Sequence, residues 1–247
     1  MRVAVIGGTG LIGAKVATVL AAQGHYVVIA SRATGVNSYT GEGLAEAVDG
    51  VETIVDVSNS GYYDERAAME FFYGSTLNLL THGAAAGVTH HVALSVVGTD
   101  RLAASEGGYF AAKAAQERLI HQSGRPFTIV HSTQFFEFVK SIAEAATVGH
   151  RVRLAQARIQ PVAGDDIAGF LAGVATSRPR DAMVEFAGPD QFRLDELVRT
   201  QLRLRDDPRE VVADPLARYF GSALAEDELL PAAGVTLGST HFSDWLR

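Results

Sequence analysis

The segment Gly7-Gly8-Thr9-Gly10-Leu11-Ile12-Gly13 follows the apolar run Val3–Ile6 without a spacer and leads straight into a helical pattern, Leu11–Gln23. No other feature restricts the fold of this chain as strongly. Gly7 permits the tight turn out of the strand. Gly10 leaves the helix N-terminus bare, where unpaired N–H groups and the helix dipole favour a phosphate, and Gly13 lets the helix press on the strand. A Gly-rich turn without a ligand is the bland alternative. The position between strand and helix, at the head of a βαβ pattern, favours a dinucleotide.

The remainder of the first half repeats that alternation. Short apolar runs at Tyr26–Ala30, Thr53–Val57, His91–Ser95 and Phe127–Val130 read as strands buried on both faces. Helices are expected at about Gly43–Val48, Arg66–Ala86 and Tyr109–Gln122, and Gly24, Gly50, Gly87 and Gly124 supply left-handed stops. The polar stretch Ser31–Gly43 leaves room for a short strand near Val36–Thr40. After His131 the pattern loosens. Helices are expected at Phe135–Ala146, Gly164–Thr176, Leu194–Leu202 and Asp214–Ala225, with an apolar run at Ile159–Val162 and a strand at Met183–Ala187. The expected architecture is α/β, a Rossmann-type doubly wound parallel sheet with a small C-terminal substrate-binding lobe. Residues 1–247 are expected to form a single NAD(P)-binding domain. Within it, 1–133 are mainly the nucleotide-binding core and 134–247 mainly the substrate lobe, with interleaved core elements.

Composition narrows the function classes. A net charge of -7, with acids and bases intermixed, supplies no basic stripe for a phosphate backbone, so no nucleic-acid partner is expected. The absence of cysteine removes disulfides, thiolate metal sites and cysteine nucleophiles. The chain opens into a strand-like run with no leader pattern ahead of it, and no stretch has the apolar length of a membrane span. It is therefore expected to be cytoplasmic, with no membrane partner and a small-molecule substrate.

Where folds that prefer NAD place an acid at the end of the second strand, this chain has Ser31-Arg32. An acid there would repel a 2′-phosphate, whereas an arginine can pair with it and stack on adenine, which favours NADP(H). Tyr109 and Lys113 stand four apart at the start of a helix, on one face. A nearby ammonium favours the phenolate and brings a tyrosine toward useful acid–base chemistry. Ser95 ends a strand at the ligand crevice, and its hydroxyl is placed to hold a substrate carbonyl beside Tyr109. Ser58 and Asn59 pass under the cofactor or merely cap a turn. Asp165-Asp166 reads as an N-cap with a dipole-stabilising carboxylate, and His82, His90 and His91 carry no metal-ligand pattern. Phe71-Phe72-Tyr73 and Phe135-Phe136-Glu137-Phe138 are pocket lining or core.

Taken together, the Gly7–Gly13 loop, Leu94-Ser95-Val96-Val97-Gly98 and Tyr109 through Lys113 resemble an atypical short-chain dehydrogenase/reductase. Thr128-Ile129-Val130-His131-Ser132-Thr133-Gln134-Phe135-Phe136 and Pro161-Val162-Ala163-Gly164-Asp165-Asp166-Ile167-Ala168 are similar to its NmrA-like branch. The resemblance implies that Ser95 orients a carbonyl, Tyr109 transfers the proton, and Lys113 holds the ribose while tuning the tyrosine. It implies cofactor contacts from Gly7, Thr9, Gly10, Leu11, Ile12, Gly13, Ser31, Arg32, Ser58, Asn59 and Lys113. His131-Ser132 departs from the family's usual Arg-Pro or Arg-Ala. The resulting expectation is an NADPH-dependent reductase of a carbonyl or enone on an apolar small molecule. A non-catalytic NADP(H) sensor and a cofactor-retaining isomerase, epimerase or dehydratase are the alternatives. Both a monomer and a homodimer fit the resemblance.

Overall fold

The structure is a computed structural model, and it describes residues 1–60, 64–106 and 108–247, leaving aside the side chains of 105 and 106. Its first half alternates strand and helix: β1 (Arg2–Ile6), α1 (Leu11–Ala22), β2 (Tyr26–Ala30), α2 (Leu44–Val48), β3 (Thr53–Asp56), α3 (Glu65–Ala85) and β4 (His90–Val96). Two successive helices, α4 (Thr99–Glu106) and α5 (Gly108–Gln122), lead into β5 (Phe127–Ser132). Then come α6 (Val139–Ala145), β6 (Thr147–Val148), β7 (Arg151–Leu154), β8 (Arg158–Ile159), α7 (Gly164–Ala175) and β9 (Ala182–Ala187). The chain ends with β10 (Phe192–Arg193), α8 (Leu194–Leu204), β11 (Glu210–Ala213), β12 (Thr236–Leu237) and α9 (Phe242–Trp245).

Seven strands make one sheet, parallel throughout, in the order β12-β9-β5-β4-β3-β1-β2. Alternation along β1 shows why both faces are covered. Val3 and Val5 pack with Val16 and Leu20 of α1 and Ile167 and Leu171 of α7. Ala4 and Ile6 turn the other way, onto Leu44 of α2 and Leu79 of α3. The result is a Rossmann-type α/β fold. From β1 the chain goes outward to β2 and then crosses back to β3, so the carboxyl ends of β1 and β3 diverge into a crevice.

The expected helix stops hold: Gly24, Gly50, Gly87 and Gly124 all have φ between 63° and 84°. The strand expected near Val36–Thr40 is absent, and β2 is the sheet's edge. A single 3₁₀ turn, Arg32–Thr34, takes up the first residues after β2. Asn37 then folds the next ones onto itself, its Oδ1 accepting from the N–H of Tyr39 at 3.1 Å and of Thr40 at 3.4 Å. Such a side-chain turn competes with ladder bonds and wins here, with Gly35, Gly41 and Gly43 at positive φ on either side.

Three further expectations need correction. Asp214–Ala225 is not a helix. The Asp214 carboxylate accepts from the Leu216 N–H at 2.9 Å, and Phe220 and Gly221 adopt φ of 47° and 92°, so local turns replace the helical ladder. The helix expected from Phe135 starts as a 3₁₀ turn, Phe136–Phe138, because Phe135 is drawn into a bridge with Val162. The N-cap of α7 is Ala163 rather than an aspartate. Asp165 and Asp166 lie in the first turn instead, one bonded to Lys15 at 2.7 Å and the other to the N–H and hydroxyl of Thr240.

Beyond β5 the chain adds two small sheets, β11-β7-β6 and β10-β8. Their core residues Val152, Leu154 and Ile159 belong to one cluster with Phe136, Leu197 and Phe242, and also with Phe72 of α3 and Tyr109 and Phe110 of α5. The C-terminal elements therefore share a core with α3 and with α5, the helix that carries Tyr109.

Candidate functional site

A cleft of about 1140 Å³ runs over the carboxyl ends of β1, β3, β4 and β5. All thirteen residues singled out from sequence line it, from Gly7 through Arg32, Ser58 and Asn59 to Ser95, Tyr109 and Lys113. These residues come from five separate stretches of chain, and the parallel topology is what brings them to one edge.

The glycine loop forms part of the lining. Gly7 has φ of +79°, and a Cβ there would sit 2.9 Å from the Ser58 Cα. The Gly7 carbonyl accepts from the Gly10 N–H at 2.9 Å. A Cβ on Gly13 would fall 2.2 Å from that same carbonyl oxygen, so Gly13 accommodates the loop itself rather than the body of the strand. Helix α1 opens at Gly10 with no side-chain cap and no acid in its first turn. Its free N–H groups and positive dipole end therefore meet the cleft unopposed, which fits a pyrophosphate. Arg32 is exposed on the cleft rim, on a turn pinned by the Ser31 N–H donating to Thr34 Oγ1 at 2.9 Å.

Helix α5 adds Tyr109 and Lys113 to the lining, both almost fully buried. The Tyr109 hydroxyl donates to Asn59 Oδ1 at 3.0 Å, a partner that spacing along the sequence does not reveal. Its ring stands edge-on to Phe72, centroids 5.6 Å apart. Lys113 Nζ donates to the Leu94 carbonyl at 2.8 Å and to Gln116 Oε1, and lies 4.5 Å over the Phe72 ring. Burial pulls the Lys113 ammonium down to about 8, against the attraction of Asp56 and Glu117.

Ser95 is held by a side chain that sequence reasoning missed. Its hydroxyl donates to Glu117 Oε1, and the same oxygen meets His131 Nε2 at 3.0 Å. His131, which departs from the resembled family's arginine, is thus placed on Glu117 through the pairing of β4 with β5, Ser95 opposite His131. Gln116 Nε2 donates to the buried Asp56 at 2.9 Å, and Asp56 also receives the Ser58 N–H and hydroxyl. The available signal was helical spacing: Gln116 and Glu117 follow Lys113 by three and four residues, the positions that share its face.

The aromatic runs divide. Phe71, Phe135 and Phe138 line the cleft, whereas Phe72 and Phe136 are fully buried core and Tyr73 is half exposed. His90 and His91 are buried at the start of β4. Desolvation lowers both, His90 to about 4, and His90 Nε2 meets Thr128 Oγ1 at 2.9 Å. No group of three or more side chains able to hold a metal occurs among the described residues. Nor is any helix among them long and apolar enough to cross a membrane.

The chain matches no protein-family model and no curated protein. Among solved structures it is similar to MoeE5 in complex with UDP-glucose and NAD, at TM-score 0.79 and 18% identity over 100% of this chain and 96% of that one. It is also similar to the Thermus thermophilus UDP-glucose 4-epimerase complex with NAD, at TM-score 0.70 and 19% identity over 92% and 89%. A third likeness is to RMD from Pseudomonas aeruginosa complexed with NADPH, at TM-score 0.69 and 14% identity over 100% and 96%. At such identities the likeness establishes the fold, Rossmann-type α/β, along the full chain.

Proposed function

We propose that this protein is an NADP(H)-dependent oxidoreductase of the short-chain dehydrogenase/reductase type, NmrA-like in its motifs, that reduces a carbonyl or enone on an apolar small molecule. The observation that carries the reading is that the bare α1 N-terminus and the Tyr109–Lys113 pair line one and the same cleft. Residues 1–133 would supply most of the cofactor's contacts and 134–247 most of the substrate's. Gly7, Thr9, Gly10, Leu11, Ile12 and Gly13 would hold the pyrophosphate, and Ser31 and Arg32 the 2′-phosphate. Ser58, Asn59 and Lys113 would face the ribose nearer the reacting end. NADPH, when bound, supplies the hydride.

The proton comes from this chain. The Tyr109 hydroxyl is the proton donor; as it stands it donates to Asn59, and it reaches a substrate oxygen by exchanging that bond for one to the substrate. Lys113 places a positive charge one helical turn from it, stabilising the tyrosinate left behind. Ser95 has a more restricted role than its position alone suggests. Its proton is given to Glu117, so as it stands its oxygen can accept from an alcohol. It can donate to a carbonyl only by releasing Glu117. The substrate end is walled by Phe71, Phe110, Phe138, Tyr219 and Phe220, and the cleft's only described cationic lining residues are Arg32 and Lys113. That wall favours an uncharged apolar substrate and offers nothing to a diphosphate.

A second reading keeps the same acid–base residues but returns the hydride within each cycle, as an epimerase does. It is favoured by the likeness to a UDP-glucose 4-epimerase. Titration with NADPH and NADH, followed by cofactor fluorescence, tests the proposal first. NADPH is expected to bind preferentially, Arg32→Ala to weaken it and Gly10→Val to abolish it; no saturable binding of either cofactor overturns the reading. Net oxidation of NADPH on a carbonyl panel, lost in Tyr109→Phe, separates reductase from epimerase. Tight NADPH binding with no activity that depends on Tyr109 would mark a sensor instead.

A further inference from the structure

Beneath the cleft lies a chain of hydrogen bonds that the proposed chemistry does not itself require. Asp56, the last residue of β3, is 1% exposed, and Gln116 and Lys113 are 1% and 2% exposed. Asp56 Oδ1 accepts from the Ser58 N–H at 3.0 Å and the Ser58 hydroxyl at 2.6 Å. Its other oxygen accepts from Gln116 Nε2 at 2.9 Å. The amide oxygen of Gln116 accepts in turn from Lys113 Nζ.

An amide between these two groups has only one usable orientation. An ammonium can only donate and a carboxylate can only accept, so the amide oxygen must face Lys113 and its NH₂ must face Asp56. The link is therefore directional, and it ties the ammonium to a carboxylate too far along the fold to be seen in sequence. Other charged groups near Lys113 are accounted for. Glu117, on the same helix, is shared by Ser95 and His131. His91 of β4 lies near Asp56, and burial disfavours its charged form. Helix α3 contributes the Phe72 ring and β4 the Leu94 carbonyl. Tyr109 stands one turn away on α5.

We propose that Asp56, acting through Gln116, is a positioning residue that keeps the Lys113 ammonium charged and aimed at the cleft. Burial works against that charge, and Asp56 is the largest influence opposing it, ahead of Glu117. The functional meaning rests on the proposed role of Lys113, but the charge relay itself is measurable with neither cofactor nor substrate.

The chain has three lysines, Lys15, Lys113 and Lys140, so their side-chain resonances can be followed individually by NMR through a pH titration, with Lys113→Met giving the assignment. The native Lys113 midpoint is expected near 8. Asp56→Asn keeps the side-chain shape and is expected to lower that midpoint by about one pH unit or more, and Asp56→Glu to restore most of it. Gln116→Met removes the link while leaving the carboxylate in place, and is also expected to lower the midpoint; it serves should Asp56→Asn fail to fold. An unmoved Lys113 midpoint in folded Asp56→Asn or Gln116→Met overturns the proposal. NADPH affinity measured over the same pH range is expected to fall as Lys113 loses its proton, and at lower pH in Asp56→Asn. A shifted lysine whose change NADPH binding ignores would uphold the relay and refute the cofactor role of Lys113.

Discussion

Alanine in place of Gly13 sets two opposed effects against each other on one helix. Within a helix, alanine is favoured over glycine by about 1 kcal/mol. The new Cβ, however, would stand 2.2 Å from the Gly7 carbonyl oxygen and 2.8 Å from both the Gly7 carbonyl carbon and the Gly8 Cα. Backbone rather than a yielding side chain meets it, so the loop must retreat by about 1 Å to reach ordinary contact. That retreat pulls on the Gly7 N–H bond to Ala30 at 2.8 Å and the Gly10 N–H bond to Gly7 at 2.9 Å. Forcing a close-packed site apart costs about 1–3 kcal/mol, and each weakened bond adds up to about 1 kcal/mol. The clash therefore outweighs the propensity gain, for a net loss of about 2 kcal/mol.

Gly173 supplies the contrast. It lies within α7 with open space around its would-be Cβ, so alanine there keeps the helical gain without a clash. In urea unfolding, with a slope of about 3 kcal/mol/M, Gly13→Ala is expected to lower the midpoint by about 0.7 M and Gly173→Ala to raise it by about 0.3 M. NADPH binding should be lost in the first and kept in the second. A Gly13→Ala midpoint at or above the native one would refute the packing argument for the loop.

Further expectations concern buried charge and chemistry. Lys113 titrates near 8 in the folded chain against 10.5 when exposed, so the unfolded state binds the extra proton between those values. Stability contributed by this group thus rises with pH from about 8 to 10.5, by up to about 3 kcal/mol, and Lys113→Met should flatten the rise in urea midpoints measured at pH 7.5 and 9.5. His90, lowered to about 4, works at the acid side: stability is lost as pH falls from 6.5 toward 4, and a His90 imidazole signal that titrates above 6 would contradict this. Glu117→Leu leaves both Ser95 and His131 without their shared acceptor and should cost about 2–3 kcal/mol in chemical unfolding, more than the near-isosteric Glu117→Gln. Tyr109→Phe should slow turnover by about 10²–10⁴ with NADPH affinity unchanged; a parallel loss of affinity would mean that the hydroxyl serves binding instead.

What was legible in sequence follows from how local each constraint is. The Gly7–Gly13 loop could be read because one carbonyl, that of Gly7, meets both Gly10 and Gly13, all within seven residues. The βα alternation was legible because β1, β3 and β5 are buried on both faces and each carries an unbroken apolar stretch, Val3–Ile6, Ile54–Val55 and Ile129–Val130. Strand β7 was not. Arg151-Val152-Arg153-Leu154 alternates exposed and buried, and at four residues such a pattern is indistinguishable from a loop until β11 pairs with it. The helix expected at Asp214–Ala225 failed for the converse reason. Its helical-looking composition was overruled by an aspartate turn and by a left-handed Phe220, whose ring packs on Phe138 and Tyr219.

The site divides along the same line. Tyr109 and Lys113 announce each other by spacing, but what governs them does not. Asn59, which orients the phenol, is 50 residues away, and Asp56, which opposes the lysine's desolvation, is 60 residues from the Gln116 that relays it. Parallel register brings these pairs together: β3 lies beside β4, so the carboxyl end of β3 delivers Asp56 and the loop after it to α5, the second of the two helices between β4 and β5. A helix can display a reactive pair by its own periodicity. Whether that pair is charged, and where it points, is decided by the neighbouring strand, and Asp56→Asn asks that question at a residue with no place in the motif itself.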